Sequence, residues 1–149
     1  MHDHRKKVLL QSLLSVLHGT QEVHQSCHWL SKGSSFYGDH LLFERLYENI
    51  VEEVDSVAER LIGHHGSEAF DPVDHMNMKA KFVSVCSSSG SSNIDQAIFA
   101  EESVLKTLRK TYDGISRSQN MTLGLDDLIM SVSDQHERHL YLLNQRGSL

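Results

Sequence analysis

The stretch His28-Trp29-Leu30-Ser31-Lys32-Gly33-Ser34-Ser35-Phe36-Tyr37-Gly38-Asp39-His40-Leu41-Leu42-Phe43-Glu44, continued to Asp55, Glu59 and Arg60, joins two long helical patterns through a short break. Upstream of it, Leu9, Leu10, Leu13, Leu14, Val16, Leu17, Val23 and Leu30 recur at steps of three and four, which predicts helix A from Lys6 to about Lys32. Lys32-Gly33-Ser34-Ser35 interrupts the pattern and offers a cap. Downstream, Leu42, Phe43, Leu46, Ile50, Val54, Val57 and Leu61 predict helix B, ending near Gly63.

Further along, Ile94, Ala97, Ile98, Val104, Leu105, Leu108, Tyr112 and Ile115 predict helix C with Asn93 as its cap. Leu125, Leu128, Ile129, Val132, Leu140 and Leu143 predict helix D from about Thr122 to Gln145. Between B and C lies a long connection, His64 to Ser92, with a short extra helix expected from Pro72 to about Val85 and a serine-rich segment after it. Short connections make antiparallel neighbours, whereas a long crossover makes B and C parallel. The expected architecture is all-α: a four-helix bundle of two up-down pairs joined by that crossover. Two hairpins on a flexible serine linker fit less well, because neither pair alone buries its apolar stripe.

Composition supports one domain over residues 1–149. Hydrophobic residues at 39% and charged residues at 23%, with one proline and nine glycines, exclude collagen-like and low-complexity chains. No run is long and apolar enough for a membrane span, and no secretory signal or anchor is read from the start. A formal charge of −6 argues against general affinity for nucleic acid phosphates. Two cysteines, Cys27 and Cys86, read as packed thiols and suit a reducing, cytoplasmic setting. Eleven histidines, with close pairs at His24/His28 and His136/His139, raise the question of a metal.

At 100° per residue, with His40 at zero, Glu44 falls near 40°, Asp55 near 60° and Glu59 near 100°, beside a core stripe at roughly 200° to 300°. A solvated helix face has the same look. The rise adds a constraint, since fifteen residues separate His40 from Asp55, about 22 Å of helix. One ion cannot touch both. If each pair is half a site, a second copy of helix B must run antiparallel across a two-fold axis, which creates two equivalent mixed sites. Imidazole with carboxylate and no thiolate suits iron, manganese or zinc.

His28-Trp29, Gly33, Phe36, His40, Glu44, Asp55, Glu59 and Arg60 fit the pattern H-W-x3-G-x2-F-x3-H-x3-[D/E]-x10-D-x3-E-R, which resembles the Dps family of ferritin-like mini-ferritins. The motif spans about a third of the chain; beyond Asp71 the resemblance is architectural. It implies a hollow homo-dodecamer that oxidises ferrous iron, preferably with hydrogen peroxide and otherwise with dioxygen, and stores the ferric mineral against oxidative damage. It further implies that His28, His40 and Glu44 bind iron from one subunit while Asp55 and Glu59 bind it from the partner across a two-fold interface. Trp29 is expected beside that site, or equally as an interface aromatic. Asp126 and Asp127 stand where the family lines an acidic iron-entry pore, Asp127 ahead of Asp126, although first-turn carboxylates also serve as helix-dipole partners.

Glu44 departs from the family's usual aspartate. Arg5, Lys6 and Lys7 and the tail Arg146-Gly147-Ser148-Leu149 make a weaker basic element than DNA-binding members carry. A non-DNA-binding iron store therefore fits better than the alternative, a structural or DNA-coating shell with an idle site. Glu101 and Glu102 with His136, Glu137 and His139 raise a second centre inside each bundle. That reading is not favoured, because the Glu-x-x-His spacing is missing: Leu140 stands three residues after Glu137. His64, His65 and His75 lie in the crossover and read as solvated loop residues rather than as transient metal stops.

Overall fold

The computed structural model describes residues 2–147; Met1, Ser148 and Leu149, the ends of the expected single domain and of its tail, lie outside the described residues. The chain runs α1 (His2–Leu30), α2 (Phe36–His65), a 3₁₀ turn (Ser67–Ala69), α3 (Pro72–Ser87), α4 (Asn93–Arg117) and α5 (Leu123–Gly147). The expected all-α bundle with its crossover helix is the observed architecture. Among the described residues there is no strand, and no helix is long and apolar enough to cross a membrane.

Local chemistry sets the boundaries. After α1, Ser31 donates Oγ–H to the Cys27 carbonyl at 2.7 Å, and Gly33 turns the chain in the left-handed region at φ 87°. Helix α2 then starts at Phe36, seven residues before its first core side chain, Phe43. Asp71 caps α3 by accepting from the Val73 N–H at 2.9 Å, with Pro72 in the first helical position, where its missing donor costs nothing. Ser92, not Asn93, caps α4: its Oγ accepts from the Asp95 N–H at 3.0 Å. Thr122 does the same for α5 through Leu125 N–H at 3.1 Å.

Helix α1 packs on α2, α4 and the crossover helix α3, and α4 packs on α5. The core has two parts. One cluster holds Leu10, Leu13, Leu14, Leu17, Leu61, Val104, Leu108 and Leu125; the other holds Val23, Cys27, Phe43, Leu46, Cys86, Ala97, Ala100 and Leu143. Where they meet, all four bundle helices contribute buried polar side chains: His24, Glu53, Glu101, His136 and His139. This polar waist, and the corner between α1 and α2, hold the chemistry.

Candidate metal centre

At the α1–α2 corner, His28 and His40 stack with ring centroids 3.7 Å apart and planes 17° from parallel. Each Nδ1–H donates to the other's backbone carbonyl, His28 to His40 O at 2.7 Å and His40 to His28 O at 2.9 Å. A carbonyl can only accept, so both Nδ1 atoms carry a proton, and in the neutral imidazole each Nε2 keeps its lone pair. Such a partner on the far ring nitrogen is what fixes an imidazole as a metal ligand. Phe36 stacks on His40 at 4.9 Å and Tyr47 meets His28 edge-on at 5.4 Å, which holds the rings in place. Arg146 grips Asp39 with two bonds, Nε–Oδ1 at 2.6 Å and Nη2–Oδ2 at 3.0 Å, and so ties the last turn of α5 to the turn carrying His40.

Glu44 lies one turn beyond His40, half-buried near Tyr47, whose hydroxyl pKa is raised by burial and by the charges of Glu44 and Glu48. The structure thus brings His28 and His40 together, with Glu44 one turn further along α2. Asp55 and Glu59 are exposed three to four turns further along α2, too far to join them within one chain. Trp29, next to His28 in sequence, is exposed at 67% of its surface, and Leu30, Tyr37 and Leu41 are exposed as well. At the start of α5, Asp126 accepts from the Tyr112 hydroxyl at 3.3 Å, whereas Asp127 is exposed. In the crossover, His75 is buried rather than solvated, stacked on His18 with Nδ1 and Nε2 2.9 Å apart. Cys27 and Cys86 are free, buried thiols, each pushed up to about 12 by burial.

At the waist, three histidines converge on Glu101. His136 Nδ1 lies 2.6 Å from Oε1, and His24 Nε2 and His139 Nδ1 lie 2.7 Å and 3.2 Å from Oε2. The second nitrogen of His136 reaches Glu53 Oε1 at 2.6 Å. Both of its nitrogens therefore donate to carboxylates, and although burial opposes the charge, Glu101 and Glu53 raise its pKa to about 10. The same imidazoles hold the Glu101 carboxyl well below the usual carboxylate range against the opposing effect of its burial. Gln135 donates to Glu53 Oε2 at 2.7 Å and Asn49 to His139 Nε2 at 3.2 Å. Glu102 and Glu137, read together with this group from the sequence, point outward to solvent. His24 and Glu53 were not in that reading. Glu53 sits at about 220° on the helix B wheel, inside the core stripe, which is the signal that betrays it.

No family model matches the chain. General stress protein 20U of Bacillus subtilis (strain 168) is 26% identical over 120 residues, covering 78% of this chain and 79% of that protein. Among solved structures, Dps from Thermosynechococcus elongatus superposes with a TM-score of 0.80 at 23% identity, covering 99% of this chain and 95% of that one. Dps from Vibrio cholerae O1, described as a member of a broad superfamily of ferritin-like diiron-carboxylate proteins, gives 0.80 at 16% identity over 99% and 91%. This chain has the Dps fold. The likeness extends the Dps resemblance from the motif at residues 28–60 to nearly the whole chain, so the crossover helix α3 and the pair α4–α5 take their Dps positions as well.

Proposed function

We propose that this chain is an iron-oxidising and iron-storing mini-ferritin that protects a reducing cytoplasm against oxidative damage. Twelve copies form a hollow shell. At each two-fold interface, His28, His40 and Glu44 of one subunit and Asp55 and Glu59 of the next bind ferrous iron as substrate, and Asp127, with Asp126 behind it, lines the entry pore. The observation that carries this reading is the reciprocal His28/His40 pair, whose two free Nε2 lone pairs are fixed by bonds to backbone. The 22 Å or so of helix between the two halves of the ligand set supports a shared site, because one chain cannot close it alone.

In the reaction, two ferrous ions each give one electron to one hydrogen peroxide, which with two protons yields two ferric ions and two waters. Neither oxygen leaves as hydroxyl radical. Dioxygen is the slower alternative oxidant. The chain's contribution is to hold two ions together and to supply carboxylates that favour the ferric product.

Co-assembly tests the sharing. Chains carrying His40→Ala/Glu44→Ala and chains carrying Asp55→Ala/Glu59→Ala are each inactive alone. When they are refolded together, half of the interfaces are mixed and each regains one of its two sites, so about a quarter of the parent rate of iron oxidation returns. If mixing restores nothing while shells form normally, the shared site is wrong.

A further inference from the structure

Beyond this interface chemistry, we propose that each subunit holds a second, mononuclear metal site at the waist of its own bundle, where His24, Glu101 and His139 bind one divalent transition-metal ion.

Geometry carries the proposal. His24 on α1, Glu101 on α4 and His139 on α5 bring one ligand atom each to within 4.8 Å of one another, with Nε2 and Nδ1 at 2.7 Å and 3.2 Å from the shared Oε2. An ion with ligands at about 2.1 Å in tetrahedral array holds those ligands about 3.4 Å apart. Replacing the shared protons by an ion therefore asks the ligand atoms to move by about an ångström or less. Three helices from both halves of the bundle position the donors, so the site is formed by the fold itself.

The cluster is also a poor design for stability alone. All three residues are 0–1% exposed, and His24 Nδ1 is buried with no hydrogen-bond partner. Replacing buried ionic networks by apolar side chains is commonly neutral or stabilising, so stability alone does not call for one here. Ligand chemistry explains why imidazoles and carboxylates stand in core positions of four helices.

The three ligand atoms converge on one place, around Glu101 Oε2, so one ion per bundle is the expected occupancy. An imidazole-rich set selects cobalt, zinc or ferrous iron over magnesium and calcium. Entry has a route as well. Between α2 and α5 runs a polar groove of about 490 Å³, lined by Glu48, Glu52 and Glu53 among others. Glu53 is the most exposed member of the cluster, at 8%, and stands where the groove meets the waist.

The test uses the full-length Asp55→Ala/Glu59→Ala protein, which removes two of the proposed interface ligands, and cobalt at the waist is told apart from cobalt left on His28 and His40 by its response to the waist variants. Cobalt(II) is titrated anaerobically, with bound metal counted after dialysis and visible d–d absorption recorded. The expected result is one cobalt per chain with absorption of a low-symmetry nitrogen and oxygen site, a raised thermal midpoint, and binding at least about tenfold weaker when Glu101→Gln is added. His24→Gln, which keeps Glu101 and its His136 and His139 partners, serves as a second, gentler variant and also weakens binding. A folded parent that takes up no cobalt overturns the proposal, as does cobalt uptake that neither variant changes.

Discussion

His136 stands between two carboxylates, and its state decides how the metal-free protein responds to base. Its pKa, about 10 against an ordinary 6.5, is raised on folding, so the stability it contributes is fully present below about pH 6.5 and is lost as pH climbs through about 10. Chelator-treated protein is therefore expected to lose thermal stability steadily from pH 7 to pH 10, and His136→Gln to flatten that profile. An unchanged slope in the variant would contradict the assignment. The thiols act later: their burial favours the protonated form, so that contribution fades only from about pH 9 towards 12. At this scale the stacked His28/His40 corner was legible, because both histidines belong to a motif of mixed chemistry at fixed spacing. The waist was legible in part. Leu125, Ile129, Val132, His136, His139 and Leu143 follow steps of three and four, so the histidines occupy core positions of α5, and His24 lies seven residues after Leu17 on the buried face of α1. A search for Glu-x-x-His spacing passes over such residues, since it looks for a motif along the chain while the cluster is assembled across it.

The four bundle helices were readable from periodicity, whereas their ends depended on contacts that periodicity does not record. Phe36-Tyr37-Gly38-Asp39 has no apolar repeat, yet it is helical: Gly33 turns the chain, and Arg146, more than a hundred residues away, holds Asp39. The crossover helix α3 is the element least specified by its own sequence and most dependent on docking. It lies on α1 through the His18–His75 contact, the Lys79–Glu22 ion pair at 3.1 Å, and Phe82 set against Gly19. A Cβ at Gly19 would stand 2.7 Å from the Phe82 ring, so any side chain there pushes α3 away from the bundle. Gly19→Val is expected to destabilise the protein by about 1–3 kcal/mol despite removing a helical glycine, because overpacking outweighs the gain in backbone propensity. Thermal unfolding of the variant measures it; a stability equal to the parent's would mean that α3 is not held by this close approach.

At the scale of the whole molecule, the outer face of α2 determines whether the proposed shell exists. Leu41, Val51 and Ile62 are exposed at 42%, 44% and 40%, and at 100° per residue they share the sector that holds His40, Glu44, Asp55 and Glu59. In the proposed shell, another chain covers these apolar side chains together with the ligand residues beside them. In the proposed antiparallel pairing, His40 and Glu44 of one copy face Asp55 and Glu59 of the other, so the two-fold axis crosses α2 near residue 50, about midway between the two pairs. Val51 then lies close to its own symmetry mate. Val51→Glu puts two carboxylates opposite each other in a buried contact, and their desolvation and repulsion cost several kcal/mol per interface. The expected variant is helical and sediments near the 16.9 kDa of one chain. It should lose iron oxidation, because its half-sites are never completed, yet still bind one cobalt per chain at the waist, since that site needs no partner. Intact shells with the parent's oxidation rate would refute the pairing through α2. Loss of both activities in a folded monomer would instead show that the waist depends on assembly, which the geometry of four helices within a single chain argues against.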